Sequence, residues 1–148
     1  MSSTGAAAVF AFCAGLAGAV QVAVQGRLGD RIGSLEALAW AAASGGALAI
    51  VVLLVARRSL AGIGDAMAGP KWLLLGGVMG IVIVLAITVA GPRVGVVATT
   101  GMLIAGQLAL ATLVDRFGWF GVERVAVTWP RFLGLVLLAA GAALTLRR

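Results

Sequence analysis

Long apolar runs alternate along the chain with short segments that hold glycine, proline and most of the charged residues. A helix rises ~1.5 Å per residue and the hydrocarbon core of a bilayer is ~30 Å thick, so a transmembrane helix needs ~17–25 apolar residues. Five runs are long enough, and each predicts one transmembrane helix. The predicted helices are residues 6–25, 35–55, 72–89, 94–114 and 130–146.

The segments between these runs predict connectors, because they contain helix-breaking residues and most of the charge. They are residues 26–34, 56–71, 90–93 and 115–129. Residues 1–5 contain no Lys or Arg, so we expect the first run to be a retained helix and not a cleaved signal peptide. Residues 1–148 are therefore predicted to form a single five-helix transmembrane domain.

The composition supports a membrane protein. Hydrophobic residues make up 62% of the chain and charged residues 11%, and the mean hydropathy is +1.15. Soluble domains average about 45–50% apolar and about 25% charged residues. The expected fold is therefore all-α and polytopic, in a membrane. The net charge of +6 does not indicate a nucleic-acid partner, because the arginines occur singly or in pairs with no basic stripe.

Some residue types that many enzymes and metal sites use are absent from the sequence. The chain has no histidine and no tyrosine, and its single cysteine is Cys13. Without histidine there is no imidazole proton relay and no Ser-His-Asp triad, and one thiol does not make a metal site. The sequence therefore predicts a protein that is not an enzyme and has no catalytic residues, no cofactor and no metal. A small-molecule substrate and the lipid bilayer are its expected partners.

Lysine and arginine are divided almost evenly between the two sides of the membrane. Side A, where the N-terminus lies, carries six of the eleven: Arg57, Arg58, Lys71, Arg116, Arg124 and Arg131. Side B carries five: Arg27, Arg31, Arg93, Arg147 and Arg148. An excess of these residues normally marks the cytoplasmic side. The near balance indicates either dual topology, with copies inserted in both orientations, or a fixed orientation set by one loop or by the insertion machinery.

Dual topology would have a functional consequence. Many transporters consist of two inverted repeats around a site at the membrane midplane. One copy of this chain has the size of one such repeat. An antiparallel homodimer would supply both repeats.

The second predicted helix carries a polar stripe. Glu36, Trp40 and Ser44 recur at a spacing of four residues, which places them on one face. Glu36 also lies in the first turn, where the helix dipole favours an anion. It is interpreted either as a coupling or substrate-binding carboxylate or as an ordinary interfacial one.

The fourth predicted helix carries a second polar face, which includes Thr100, Gln107 and Asp115. Asp115 lies at the helix end, where it could act in coupling or be neutralised by an arginine such as Arg116. Rows of small residues at a spacing of four also occur in the first, third and fourth predicted helices. They are Ala11, Gly15, Ala19 and Ala23; Gly76 and Gly80; and Gly101, Ala105 and Ala109. These rows predict close helix packing within one protomer.

Gln21 and Gln107 lie well inside their predicted helices, where an amide needs either a neighbouring helix or a ligand as partner. Gln21 lies ~7 Å from side B and Gln107 ~10 Å from side A. In an antiparallel dimer, Gln107 of one copy would therefore lie near the level of Gln21 and Trp40 of the other. The predicted substrate-binding residues are Gln21, Gln25, Trp40, Ser44, Thr100 and Gln107, and the coupling candidates are Glu36 and Asp115.

The chain resembles the small five-helix bacterial inner-membrane proteins of the drug/metabolite transporter superfamily. The most specific likeness runs from Val94 through Ala105-Gly106-Gln107 to Asp115-Arg116-Phe117-Gly118. Gln21 with Arg27-Leu28-Gly29, and Trp72 with Gly76-Gly77, resemble that family's first and third helices. The resemblance implies a transporter or exporter of small metabolites or drugs, encoded in some members as pairs of opposite topology.

The leading hypothesis from the sequence is a secondary transporter that works by alternating access at the interface of an antiparallel homodimer. A dual-topology ion channel is the first alternative, although it would require a continuous polar pore. A subunit that needs a separate partner of opposite topology is the second.

Overall fold

A computed structural model describes residues 3–146, so Arg147 and Arg148 of the side B count lie outside the described residues. This part of the chain contains helices and turns and no strand. The helices are α1 (Ser3–Ile32), α2 (Ser34–Arg57), α3 (Ala61–Ala68), α4 (Leu75–Val94), α5 (Val96–Phe117) and α6 (Trp129–Leu144). Short 3-10 turns occur at Lys71–Leu74 and Trp119–Gly121. The expected all-helical fold is confirmed for the described residues.

Four helical segments are long and apolar enough to cross a membrane, and they correspond to the first four predicted helices. They are Thr4–Ile32, Ser34–Arg57, Lys71–Val94 and Val96–Phe117. The fifth predicted helix corresponds to α6, which is apolar but has only 16 residues. Because a span needs at least ~17 residues, a fifth crossing stays a prediction.

The predicted connector at residues 26–34 is wrong in its position. Helix α1 continues past Gln25 to Ile32, and only Gly33 separates it from α2. Gly33 has φ 99°, a left-handed conformation that favours glycine, so the break falls there. Gly26 and Gly29 of the predicted connector are helical, and both lie against α4.

The predicted turn at residues 90–93 is also wrong, because α4 continues through Pro92 to Val94. Gly95, with φ 88°, ends the helix instead. The Pro92 ring packs against α1, where a Cβ added at Gly26 would lie 3.2 Å from Pro92 Cδ. The sequence also did not predict α3, which occupies part of the connector at residues 56–71.

The chain divides into two compact units. One is Ala23–Pro92, in which α1 is bonded to α2 through Gln25 and Ala37 and lies against α4 where Gly29 approaches Thr88. The other comprises the described residues up to Val22 and from Arg93 onward. In this second unit α5 packs against α6, and a Cβ added at Gly101 would lie 3.4 Å from Ala142 Cβ. The single five-helix domain over residues 1–148 stays a prediction.

The four spanning segments bury little of their surface within one chain. Only 0–11% of the most apolar window of each segment is buried. Gly15, Gly76 and Gly80, predicted to pack helices within a protomer, have no atom within 4 Å of an added Cβ among the described residues. Of the small-residue rows, the one that contains Gly101 does make an internal helix contact. The other faces remain available to lipid or to another chain.

Candidate functional site

The two glutamines of α1 have different environments. Gln25 is buried, and its Nε2 donates a 2.9 Å hydrogen bond to the Ala37 carbonyl oxygen of α2. Gln21 is exposed, and within residues 3–146 its amide makes no hydrogen bond. A side-chain amide in a membrane-spanning helix needs a hydrogen-bond partner. The Gln25 amide has one on the neighbouring helix, whereas the exposed Gln21 amide still needs one. Gln25 thus joins two helices, and Gln21 is available to a ligand or a second copy.

The predicted stripe on α2 is exposed along its length. Glu36, Trp40 and Ser44 are all exposed and share one helix face. The Ser44 hydroxyl donates to the Trp40 carbonyl oxygen at 2.8 Å, so its hydrogen is used by its own helix and its oxygen can still accept. The Trp40 indole is 65% exposed.

The Glu36 carboxylate folds back over the start of α2. A Cβ added at Gly33 would collide with Glu36 Oε2, which shows how closely the carboxylate approaches the residue before the helix. The free backbone N–H groups of a first turn form the positive end of the helix dipole. The Glu36 carboxylate thus lies at the positive end of the α2 dipole, as its predicted position in the first turn implies.

The threonines at the start of α5 differ in one respect. The Thr99 hydroxyl donates to the Gly95 carbonyl oxygen at 2.8 Å, which is the usual bond of a helical threonine. The Thr100 Oγ1 is buried and has no hydrogen-bond partner among the described residues. A buried hydroxyl without a partner is costly, so Thr100 Oγ1 has an unused hydrogen-bonding capacity.

Gln107 lies further along α5 and is exposed. In the described part of the chain its amide makes no hydrogen bond, and none joins it to Gln21. The structure thus shows two amides on membrane-spanning helices whose hydrogen bonds must come from outside the described residues. The sequence left open whether these amides bond another helix, and among the described residues of one copy they do not.

Asp115 is paired, but not with the expected residue. Arg131 Nη1 of α6 donates to Asp115 Oδ2 at 3.5 Å, whereas the sequence suggested the adjacent Arg116. Residues 115 and 116 point to different sides of a helix, so the neighbour in sequence is not the neighbour in space. The first turn of α6, which starts at Trp129, carries Arg131 to the end of α5.

Sequence reasoning missed Thr88. It is buried, its Oγ1 donates to the Val84 carbonyl oxygen at 2.7 Å, and its methyl group faces Gly29. The spacing of Gly26, Gly29 and Gly33 on one helix face is the signal that could have indicated a close helix contact there.

Comparison with known families identifies the protein family to which the chain belongs. Residues 6–144 match the family described as "Putative inner membrane exporter, YdcZ". The chain belongs to this family. The match confirms the resemblance to small inner-membrane transporters, and it covers nearly every described residue. A search of curated proteins and a search of solved structures each found no match.

Family membership and the apolar helices place the chain in the inner membrane as a multi-pass protein. The family description supports a transporter or exporter role, and with it a small-molecule substrate. It favours a function in transport over catalysis.

Proposed function

We propose that the chain is a secondary transporter that exports small metabolites or drug-like molecules by alternating access, through a cavity at the interface of an antiparallel homodimer. The observation that carries this proposal is the pair of exposed amides, Gln21 and Gln107, on membrane-spanning helices. A polar group facing hydrocarbon without a partner is costly, so each amide requires a cavity, a ligand or another chain. A site shared by two copies would satisfy both.

Two further observations support the dimer. The spanning helices bury at most 11% of their most apolar windows within one chain, which leaves surface for a second copy. The division of the eleven Lys and Arg residues into six and five is compatible with insertion in both orientations. Two inverted copies would reproduce the inverted repeats from which many transporters are built, here as a bundle of the drug/metabolite transporter type.

Helix α6 is the fifth span in this proposal. Its 16 residues extend ~24 Å, which is close to the ~30 Å of the hydrocarbon core. Trp129 at its start is 72% exposed, as expected for an indole anchored at the membrane interface. A short helix of this kind is accommodated by local thinning of the bilayer or by oligomerisation.

The proposed substrate site combines hydrogen-bonding groups with one aromatic face. Gln21, Gln107 and Thr100 would bond the substrate, because each has unused capacity. Trp40 would stack on it, with Ser44 beside it as an acceptor. Gln25 would position α1 against α2 through its bond to Ala37 and offer its Oε1 to the site.

The substrate class can be tested directly. A panel of organic cations, organic anions and neutral metabolites is screened for thermal stabilisation of the purified protein. Any hit is then measured for flux in proteoliposomes. A stabilising ligand that is transported supports the proposal, and stabilisation without flux contradicts it.

Dual topology predicts that tags on the C-terminus are found on both sides of the membrane in comparable amounts. Gly62 and Gly64 of α3 are exposed, with no described atom within 4 Å of an added Cβ, so arginine fits at both. Gly62→Arg with Gly64→Arg should favour the orientation with side A in the cytoplasm. Transport by this variant expressed alone should fall several-fold, because fewer antiparallel pairs can form.

The matched control is Gly62→Gln with Gly64→Gln, which adds comparable bulk without charge. It should leave both the tag distribution and the flux unchanged. A C-terminus found on one side only in the unmodified chain would contradict the homodimer and indicate a separate partner chain of opposite topology.

Proton coupling predicts a difference between the two carboxylates near the membrane. Glu36→Gln is expected to weaken any pH dependence of transport more than Asp115→Asn does, because Glu36 lies on the exposed face with Trp40 and Ser44, whereas Asp115 is paired with Arg131. The measurement is flux in proteoliposomes with and without an imposed pH gradient. Unchanged proton-driven flux in Glu36→Gln would eliminate Glu36 as the coupling group.

A further inference from the structure

Helices α5 and α6 leave a groove between them, which we call the α5–α6 groove. Its volume is about 260 Å³. Asp115 and Arg131 close one end of it. The rest is lined by Leu108, Ala111, Thr112, Gly134, Leu135 and Leu138.

The charged end of the groove lies at the membrane surface. Asp115 is in the last turn of α5, which ends at Phe117, and Arg131 is in the first turn of α6. Trp129 stacks on Phe132 beside Arg131, with ring centroids 5.6 Å apart, and such aromatic residues mark the level of the lipid headgroups. From Arg131 to Leu138 the groove extends ~10 Å into the apolar region.

The deep part of the groove is apolar and open. No described atom lies within 4 Å of a Cβ added at Gly134. The Thr112 hydroxyl donates to the Leu108 carbonyl oxygen at 2.8 Å, so its hydrogen does not point to the groove as a free donor. This part of the groove therefore suits a hydrocarbon chain.

The Asp115–Arg131 pair can accommodate a headgroup. The pair is long, at 3.5 Å, and the side chains of Arg131 and Asp115 are 51% and 33% exposed. Exposed pairs of this kind contribute little to stability, so separating them costs little. The guanidinium keeps further N–H donors and the carboxylate keeps further acceptor positions.

We propose that the α5–α6 groove binds phosphatidylethanolamine, with the lipid phosphate on Arg131, the ammonium on Asp115 and an acyl chain beside Gly134. The groove carries one positive and one negative side chain, and this headgroup carries one charge of each sign. An anionic lipid would match Arg131 but would leave Asp115 unpaired near a second negative charge. A choline headgroup has no N–H donor to offer the carboxylate.

This lipid site goes beyond the proposed transport function and rests on one part of it, the position of α6 in the membrane. Native mass spectrometry of the full chain, purified in a mild detergent, measures the binding of phosphatidylethanolamine, phosphatidylcholine and phosphatidylglycerol with identical acyl chains. Phosphatidylethanolamine should bind about tenfold more tightly than either of the others, as expected for one additional charge-assisted hydrogen bond.

Three variants separate the parts of the groove. Asp115→Asn should remove most of the preference for phosphatidylethanolamine over phosphatidylcholine, whereas Arg131→Gln should weaken all three lipids. Gly134→Leu should fill the groove and reduce binding about tenfold or more, by excluding the acyl chain. Gly141→Leu is the matched control, because it lies on the same helix, has no described atom within 4 Å of its added Cβ and does not line the groove.

Thermal melts of each variant without added lipid show whether it folds. Equal binding of the three lipids, or an equal loss in Gly134→Leu and Gly141→Leu, would overturn the proposal. Full competition by water-soluble glycerophosphoethanolamine would also overturn it, because the groove would then recognise a soluble zwitterion. A change in oligomeric state in Gly134→Leu with lipid binding intact would identify the groove as a contact between chains and overturn it too.

Discussion

Gly29→Ala is expected to lower the free energy of unfolding of the chain by about 1–3 kcal/mol, the usual cost of forcing an extra methyl group into a packed contact. A Cβ at residue 29 would lie 2.5 Å from Thr88 Cγ2 and 3.4 Å from the Thr88 carbonyl oxygen. The first distance is far below van der Waals contact, so α1 and α4 would have to separate. Thermal unfolding or unfolding by SDS titration of the purified protein measures the effect.

Thr88 cannot move aside easily. Its side chain is 1% exposed, and its Oγ1 is held by the bond to the Val84 carbonyl oxygen. A β-branched residue in a helix also has few χ1 rotamers. The strain would therefore be transferred to the backbones of the two helices.

A double-mutant cycle tests this cause. Thr88→Ser removes the methyl group that faces Gly29 and keeps the hydroxyl that bonds Val84, so Gly29→Ala should be much less costly in the Thr88→Ser background. Gly15→Ala, on the same helix with no described atom within 4 Å of the added Cβ, is the matched control and should have little effect. Equal destabilisation in both backgrounds would show that the α1–α4 contact is not the reason for glycine at 29.

The sequence predicted the apolar helices well and their ends poorly. The length of an apolar run indicates which residues lie in the hydrocarbon core of the bilayer. A helix, however, ends where the backbone leaves the helical conformation. Charged residues such as Arg27 and Arg31 mark the end of the apolar run, but both are helical. Helix α1 ends only before Gly33, which has a positive φ. The nearby glycines have two different roles. Gly26 and Gly29 allow close contact with α4, whereas Gly33 ends α1.

The candidate site was likewise predictable only in part. Polar residue types at membrane depth could be selected from the sequence, because few residues there are polar. Their partners could not, since the acceptor for Gln25 is a backbone carbonyl and the partner of Asp115 lies on another helix. The sequence also does not distinguish Thr99 from Thr100, although only Thr99 bonds its own helix.

Gln107→Ala is expected to reduce transport about tenfold while leaving the stability of the purified protein unchanged. Loss of one hydrogen bond to a ligand corresponds to about this factor. The amide is exposed and makes no hydrogen bond within the described residues, so its removal breaks no hydrogen bond among them. Gln21→Ala should behave in the same way.

Gln25→Ala should show the opposite pattern, because its amide is buried and bonded to Ala37. Removing a buried hydrogen-bonding group costs ~1–3 kcal/mol, so this variant should unfold at a lower temperature. Flux per folded molecule should fall less than in Gln107→Ala. Gly106→Ala, adjacent to Gln107 and with no described atom within 4 Å of the added Cβ, is the control for a change on α5 and should be near normal in both measurements.

The decisive measurement compares thermal stability with proteoliposome flux for these variants. Gln107→Asn, which keeps the amide on a shorter side chain, should recover part of the flux if the amide bonds a ligand. Parallel loss of stability and flux in Gln107→Ala would show instead that Gln107 bonds another helix in the assembled protein. In that case the amide belongs to the contact between copies, and the substrate site must be sought around Thr100 and Trp40.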